Sequence, residues 1–162
     1  MYKSIVIGSL LIAMSTLAGC GWRLQGSARL PEVLATAYIE AKDPYTDFIR
    51  ALRDSLTASG ATVVANRAQA TAIVRIKRDV SGQRVLSVSA RNTPEEYQVY
   101  YTVEYSVEGD GRELIAPDTL EVTRDYSYDE RAVLAKQREQ LILREALARD
   151  LAGMIVRRLA AL

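Results

Sequence analysis

Hydrophobic and polar residues alternate along this chain with two different periods, and each period predicts one kind of element. Between 96 and 108 tyrosine and valine occupy every second position, which is typical of a long strand with one buried face. Phe48 and Leu52 instead follow a four-residue spacing and predict an amphipathic helix over 44–58, capped by Asp43. The chain therefore contains both strand and helix segments.

A second helix is predicted at the end of the chain, from about 129 to 161, because only Gly153 weakens the helical pattern there. Its apolar stripe is expected to consist of Leu134, Leu141, Ala148, Leu151, Ile155 and Leu159. Glu145 and Arg149 are oppositely charged and four residues apart, so they should support the helix on its exposed side. We expect this helix to close the domain.

Shorter apolar segments predict the remaining strands, at 34–40, 61–65, 70–78, 85–90 and 112–124. Residues 80–83 are predicted to form a turn, and Gly109-Asp110-Gly111 a hairpin. Pro117 should mark a bulge or an edge in the last strand, whose inward residues are expected to be Leu114, Ala116, Leu120 and Val122. Since each element has one apolar side, we predict an α/β (α+β) two-layer sandwich, with two helices on one face of a mostly antiparallel, mixed four- to five-stranded sheet.

The first 19 residues have the layout of a bacterial export signal. Lys3 supplies a positive charge, an apolar run follows, and the run is too short to span a bilayer. It ends in Leu17-Ala18-Gly19-Cys20, which resembles a lipobox, so we expect cleavage before Cys20 and acylation of its thiol. Gly21 follows where an Asp commonly directs retention in the inner membrane, which favours the outer membrane. The predicted organisation is a signal peptide over 1–19 and one periplasmic domain over 20–162.

Composition excludes several classes of function. Removing 1–19 deletes one lysine and no acid, so 20 basic and 20 acidic residues remain, and this neutral balance argues against nucleic acid as a partner. The chain has no histidine and a single cysteine, so histidine-dependent catalysis and a zinc site of histidine and cysteine lack their central groups. No glycine pattern for a nucleotide cofactor is present. We expect no enzyme, no metal site and no cofactor.

Three short segments carry a resemblance to a known family: Cys20-Gly21-Trp22-Arg23-Leu24, Glu96-Tyr97-Gln98 and Leu134-Ala135-Lys136. In order and spacing the chain resembles the LPS-assembly lipoproteins LptE, also called RlpB, over essentially the whole mature length. The resemblance implies a lipoprotein on the periplasmic face of the outer membrane. It also implies a 1:1 heterodimer with the LptD β-barrel, whose lumen it plugs and whose assembly it aids, and binding of lipopolysaccharide during insertion into the outer leaflet.

The resemblance also implies candidate site residues. Arg91 and Lys136 match positions where the family presents basic residues toward lipid A, and basic side chains suit its phosphates. Tyr97 and Tyr100 are the candidate contacts with the barrel, because tyrosine is abundant around the predicted hairpin and favours interfaces. Tyr100 is the stronger candidate, since it lies on the otherwise polar face of its strand. Strand propensity explains the tyrosines equally well.

Two alternatives remain open. The chain could be an accessory lipoprotein of another envelope lipid-transport or secretion complex with a similar small sandwich. It could also be a carboxylate-based hydrolase, which would require Glu95, Glu96, Asp129 or Glu130 to line a pocket. Glu95 and Glu96 are neighbours on a predicted strand and should point to opposite faces, so solvated charges are the simpler interpretation.

Overall fold

A computed structural model describes residues 29–127 and 133–162, with side chains from 136 onward in the second range. The predicted signal peptide and Cys20 lie outside these residues, as do Asp129 and Glu130. In chain order the main elements are β1 (Thr36–Ala41), α1 (Asp47–Ala58), β2 (Thr62–Val63), β3 (Ala72–Val88), β4 (Pro94–Gly109), β5 (Arg112–Ser127) and α2 (Val133–Leu159). Within the described ranges, the predicted α+β class with two helices and a five-stranded mixed sheet is confirmed.

The sheet has the order β2-β1-β3-β4-β5. β1 is parallel to β2 and to β3, whereas β3, β4 and β5 form antiparallel pairs. Within β3, β1 pairs only with Ala72–Ile76, so the later part of β3 continues with β4 as its one described neighbour. We call residues 78–88, 94–104 and 119–127 the three-stranded extension. It leads to the turn that contains Arg91.

β3 is one continuous strand, so the turn predicted over 80–83 is wrong. The ladder to β4 shifts between Ile76 and Arg78 and then continues through Gly82, which pairs with Tyr100. The bulge exchanges the two faces of the strand. Val74 and Ile76 are buried before it, whereas Asp79 faces the interior after it. The turn was predicted because Ser81 and Gly82 are common turn residues, but both lie inside this strand.

β5 also changes face at a bulge. Val107 pairs with Ile115 and Tyr105 with Asp118, which leaves Ala116 and Pro117 outside the regular ladder. The bulge expected at Pro117 is confirmed, and Leu114, Leu120 and Val122 are partly buried against the core, as predicted. Ala116 is exposed, so its inward placement was wrong. Ile115 is buried instead. The hairpin before it is also confirmed, since Asp110 and Gly111 both have positive φ (51° and 69°), as a two-residue turn of this type requires.

α1 begins at Asp47, three residues later than predicted. Thr46 is its N-cap, because its hydroxyl accepts a hydrogen bond from the backbone N–H of Ile49. Asp43 instead accepts the backbone N–H of Tyr45 in a local turn. The buried face of α1 consists of Phe48, Ile49, Ala51, Leu52 and Leu56.

The core lies between the helices and one face of the sheet. α2 contributes Leu147, Ala148, Leu151, Ala152, Ile155, Val156 and Leu159, all buried. The predicted stripe is therefore confirmed from Ala148 onward, whereas Leu141 is 50% exposed and was wrongly placed inward. The predicted Glu145–Arg149 pair forms at 3.8 Å. None of the helices within 29–127 and 133–162 is both long and apolar enough to cross a membrane.

Candidate functional site

Arg91 lies in the turn between β3 and β4, at the far end of the three-stranded extension. Ser89 holds this turn together, since its hydroxyl accepts the backbone N–H groups of Arg91 and Thr93, each at 3.2 Å. Asn92 adopts positive φ (62°), which lets the chain reverse. Arg91 is exposed and forms no ion pair with any residue in the described part of the chain. Its guanidinium is therefore presented to solvent on a defined turn.

Lys136, the other predicted basic residue, has very different surroundings. Its side chain is only 19% exposed, and Nζ lies 2.8 Å from Oε2 of Glu139, one turn further along α2. The same ammonium lies 6.0 Å from the centroid of the Tyr126 ring, within the range of a cation–π contact. Lys136 is thus held between a carboxylate and an aromatic ring.

The tyrosine under Lys136 belongs to a small aromatic stack on the inner face of the extension. Tyr97 and Tyr126 are cross-strand partners, with ring centroids 5.8 Å apart and planes at 20°. The Tyr126 hydroxyl donates a hydrogen bond of 2.9 Å to Oε1 of Gln83 on β3. We call Gln83, Tyr97, Tyr126, Lys136 and Glu139 the Lys136 cluster. It joins all three strands of the extension to the start of α2.

Arg91 and the Lys136 cluster lie at the same end of the molecule. Arg91 precedes Tyr97 by six residues, so their Cα atoms are no more than about 22 Å apart even if the chain were fully extended. Sequence reasoning proposed Arg91, Lys136 and Tyr97 but missed Gln83 and Glu139. The spacing of Lys136 and Glu139, three residues apart on a helix, was a signal that could have found the ion pair.

Tyr100 lies on the opposite, outer face of the sheet. Its ring covers Gly82 so closely that a Cβ at that position would lie 2.5 Å from the tyrosine hydroxyl. The guanidinium of Arg84 lies 5.5 Å from the centroid of the same ring. Tyr100 is therefore half-buried by its own chain.

The outer face carries a row of ion pairs around Arg75. Its guanidinium lies 3.0 Å from a carboxylate oxygen of Glu108 and 3.4 Å from one of Glu40. The hydrogen bond and charge of Arg75 hold the pKa of Glu108 below its ordinary value. Further along the face, Arg84 pairs with Glu121 at 3.5 Å. Both signs of charge alternate here, which makes this surface polar without strong net charge.

The carboxylates of the hydrolase alternative form no pocket in the described part of the chain. Glu95 and Glu96 are both exposed, and Glu96 accepts a hydrogen bond of 2.7 Å from the Ser87 hydroxyl. Within 29–127 and 133–162, no three His, Cys, Asp or Glu side chains are grouped so that they could hold a metal ion. Asp129 and Glu130 lie outside these residues.

Comparison with known proteins gives a consistent result. The sequence model of the LptE family, described as lipopolysaccharide-assembly, matches residues 34–159. The LPS-assembly lipoprotein LptE of Pectobacterium atrosepticum is 30% identical over an alignment that covers 96% of this chain and 83% of that protein.

Two solved structures are similar in fold. A lipoprotein B from Nitrosomonas europaea is 26% identical with a TM-score of 0.71, covering 87% of this chain and 91% of its own. The rare lipoprotein B from Shewanella oneidensis is 27% identical with a TM-score of 0.68, covering 78% of this chain and 94% of its own.

Proposed function

The chain belongs to the LptE family of lipopolysaccharide-assembly lipoproteins, and from this premise we propose that it is a lipid-anchored partner of the LptD β-barrel. In this proposal Cys20 carries the lipid, and the single domain over 20–162 plugs the barrel lumen from the periplasmic side and aids barrel assembly. Arg91 and Lys136 contact lipopolysaccharide as it passes to the outer leaflet. The family is one of assembly lipoproteins rather than a known family of enzymes.

One observation carries the proposal for lipopolysaccharide. Arg91 and Lys136 are 45 residues apart in sequence, yet the fold brings both to the end of the sheet that is formed by the three-stranded extension. Lipid A presents phosphate groups on an apolar body, and guanidinium and ammonium groups are their usual protein ligands. Exposed apolar side chains of β3 near the same turn, Val85, Leu86 and Val88, would suit the apolar part of such a molecule.

The outer face of the sheet supports the proposed place inside a barrel. A plug must be soluble and must fit a polar lumen, and the alternating charges around Arg75 meet both requirements. Tyr100 lies half-buried on this face, so we propose it as a barrel contact, together with Tyr97 of the Lys136 cluster. Tyrosine combines apolar area with a polar tip, which suits such an interface.

A charge reversal tests the lipopolysaccharide contact. The variant Arg91→Glu/Lys136→Glu should bind purified lipopolysaccharide at least about tenfold more weakly, because charge-assisted hydrogen bonds contribute about 1.5–3 kcal/mol each. Affinity is measured by equilibrium titration of the full-length protein in detergent, with circular dichroism to verify the fold.

A matched control separates a local effect from a change in total charge. Arg53→Glu/Arg112→Glu changes the net charge equally at exposed positions away from the extension, and we expect it to bind as the wild type does. Equal affinity of the Arg91/Lys136 variant and the wild type, with unchanged circular dichroism, would refute the proposed site.

The second candidate is an accessory lipoprotein of another envelope complex. A small α+β sandwich with a lipid anchor would be equally suitable for an accessory subunit of such a complex. This candidate differs in its partner, since it predicts an inner-membrane or secretion complex in place of a β-barrel.

A further inference from the structure

The two basic residues of the proposed site are not equivalent, because only Lys136 has a carboxylate partner among the described residues. Nζ of Lys136 lies 2.8 Å from Glu139, and its side chain is 19% exposed. Arg91, in contrast, is exposed and forms no ion pair within the described ranges. An anion that approaches Arg91 meets a free cation, whereas an anion that approaches Lys136 meets a neutral pair.

The position of Lys136 is fixed by its other neighbour. Its ammonium lies 6.0 Å from the centroid of the Tyr126 ring, and that ring is held by the stack with Tyr97 and by the hydrogen bond to Gln83. The aromatic face favours a cation that stays in place. Glu139 is the more exposed partner, since 44% of its side chain is accessible. A ligand can therefore reach and replace the Glu139 carboxylate while Lys136 stays on the Tyr126 ring.

We propose that Glu139 is a built-in counterion that weakens the binding of anionic lipids at Lys136, an inference that rests on the proposed lipopolysaccharide function. A ligand must compete with the carboxylate for the ammonium. A phosphate monoester carries up to two charges and three acceptor oxygens, so it can replace the carboxylate. Glu139 thus lowers the affinity of the site for a phosphorylated lipid by the free energy that separating the ion pair requires.

Removal of the counterion tests this effect directly. The full-length wild type and the Glu139→Gln variant are titrated in detergent with lipid A that carries two phosphates. Glu139→Gln should bind this ligand about threefold more tightly than the wild type, because its Lys136 ammonium has no carboxylate partner to lose.

The control is Glu145→Gln, on the same helix. It removes one negative charge as well, but Glu145 pairs with Arg149 at 3.8 Å instead of with Lys136. We expect its affinity for this ligand to match that of the wild type. If Glu139→Gln and Glu145→Gln bind the ligand equally tightly, the inference is overturned, because the effect is then one of general charge.

A second variant shows whether the effect acts through Lys136. In Lys136→Met/Glu139→Gln the gain should vanish, since the ammonium that the carboxylate neutralised is absent. Persistence of the gain in this variant would overturn the role of Glu139. The proposed function fails separately: in that case Arg91→Glu/Lys136→Glu binds two-phosphate lipid A as well as the wild type does. If Lys136→Met weakens binding while Glu139→Gln changes nothing, only the counterion role is lost.

Discussion

Asp79 connects three elements through two hydrogen bonds. One carboxylate oxygen accepts the hydroxyl of Thr46 at 2.5 Å, and the other accepts the hydroxyl of Tyr101 at 2.8 Å. Thr46 caps α1, Tyr101 lies on β4, and Asp79 itself follows the bulge of β3. The bulge therefore matters for the helix layer, since without the change of face Asp79 would point away from both partners.

Tyr101 should make the fold sensitive to alkaline pH. Burial, and after it the hydrogen bond to Asp79, raise the pKa of the Tyr101 phenol above its ordinary value. As pH rises above about 10 the unfolded chain loses this proton while the folded chain keeps it, so stability falls. Tyr101→Phe should cost about 1–2 kcal/mol near neutral pH through the lost hydrogen bond. The deficit should shrink above pH about 10, because phenylalanine does not titrate.

Urea unfolding of the variant and the wild type at several pH values measures this difference. Tyr45→Phe is the control, since Tyr45 is 87% exposed and its loss should change nothing at any pH. A constant deficit for Tyr101→Phe across the whole range would show that the phenol does not titrate differently in the folded state.

At the scale of elements, α2 combines two kinds of helical surface. Its second half, from Leu147, is buried against the sheet and α1, whereas Leu141 in its first half is half exposed on what the sequence predicts to be the same stripe. α1 begins only at Asp47, and Arg144 of α2 reaches Asp47 at 2.9 Å. Leu141 and Leu151 belong to the same predicted stripe, so their spacing in the sequence does not reveal that only Leu151 is buried.

Two leucine truncations on that stripe should therefore differ strongly. Leu151→Ala removes a fully buried side chain and should lower the free energy of unfolding by about 2–5 kcal/mol. Leu141→Ala, at a 50% exposed position, should change it by less than about 0.5–1 kcal/mol. Chemical unfolding of both variants gives the two values. Similar losses would mean that Leu141 is buried as the periodicity predicts.

The elements that the sequence predicts correctly are those with one uninterrupted period. β4 shows strict alternation and contains no bulge between Glu96 and Tyr105, so the sequence alone identifies which of its residues face the core. β3 and β5 each change face at a bulge, and alternation alone does not locate the residue that is skipped. For the same reason the split of β3 into two strands and the inward placement of Ala116 were wrong.

Only part of the candidate site could be predicted from the sequence. Arg91 and Lys136 came from a resemblance to a family, and the structure brings them to one end of the sheet. Gln83 and Glu139 join that site through contacts between elements, which no single stretch of sequence contains. Local spacing could suggest the Lys136–Glu139 pair, but the tyrosine ring below the lysine depends on the packing of α2 on β5.

At the scale of the whole molecule, the two ends of the sheet differ. Near the start of the described chain, Val33 lies against Gly109, at the turn between β4 and β5. Arg91 lies beyond the opposite end of β4, and sixteen strand residues separate the two ends, roughly 50 Å at the usual rise per residue. Arg91 therefore lies far from the end of the domain at which Val33 is placed.

Native mass spectrometry of the full-length protein, purified from detergent-solubilised cell envelopes that contain both membranes, tests the central claim most directly. We predict one complex that contains one copy of this chain and one copy of the LptD barrel, with the chain beginning at an acylated Cys20. Cys20→Ala, which cannot accept the lipid, is the control for the acyl mass. A chain that has no lipid, or that is bound to an inner-membrane complex and to no barrel, would contradict the account.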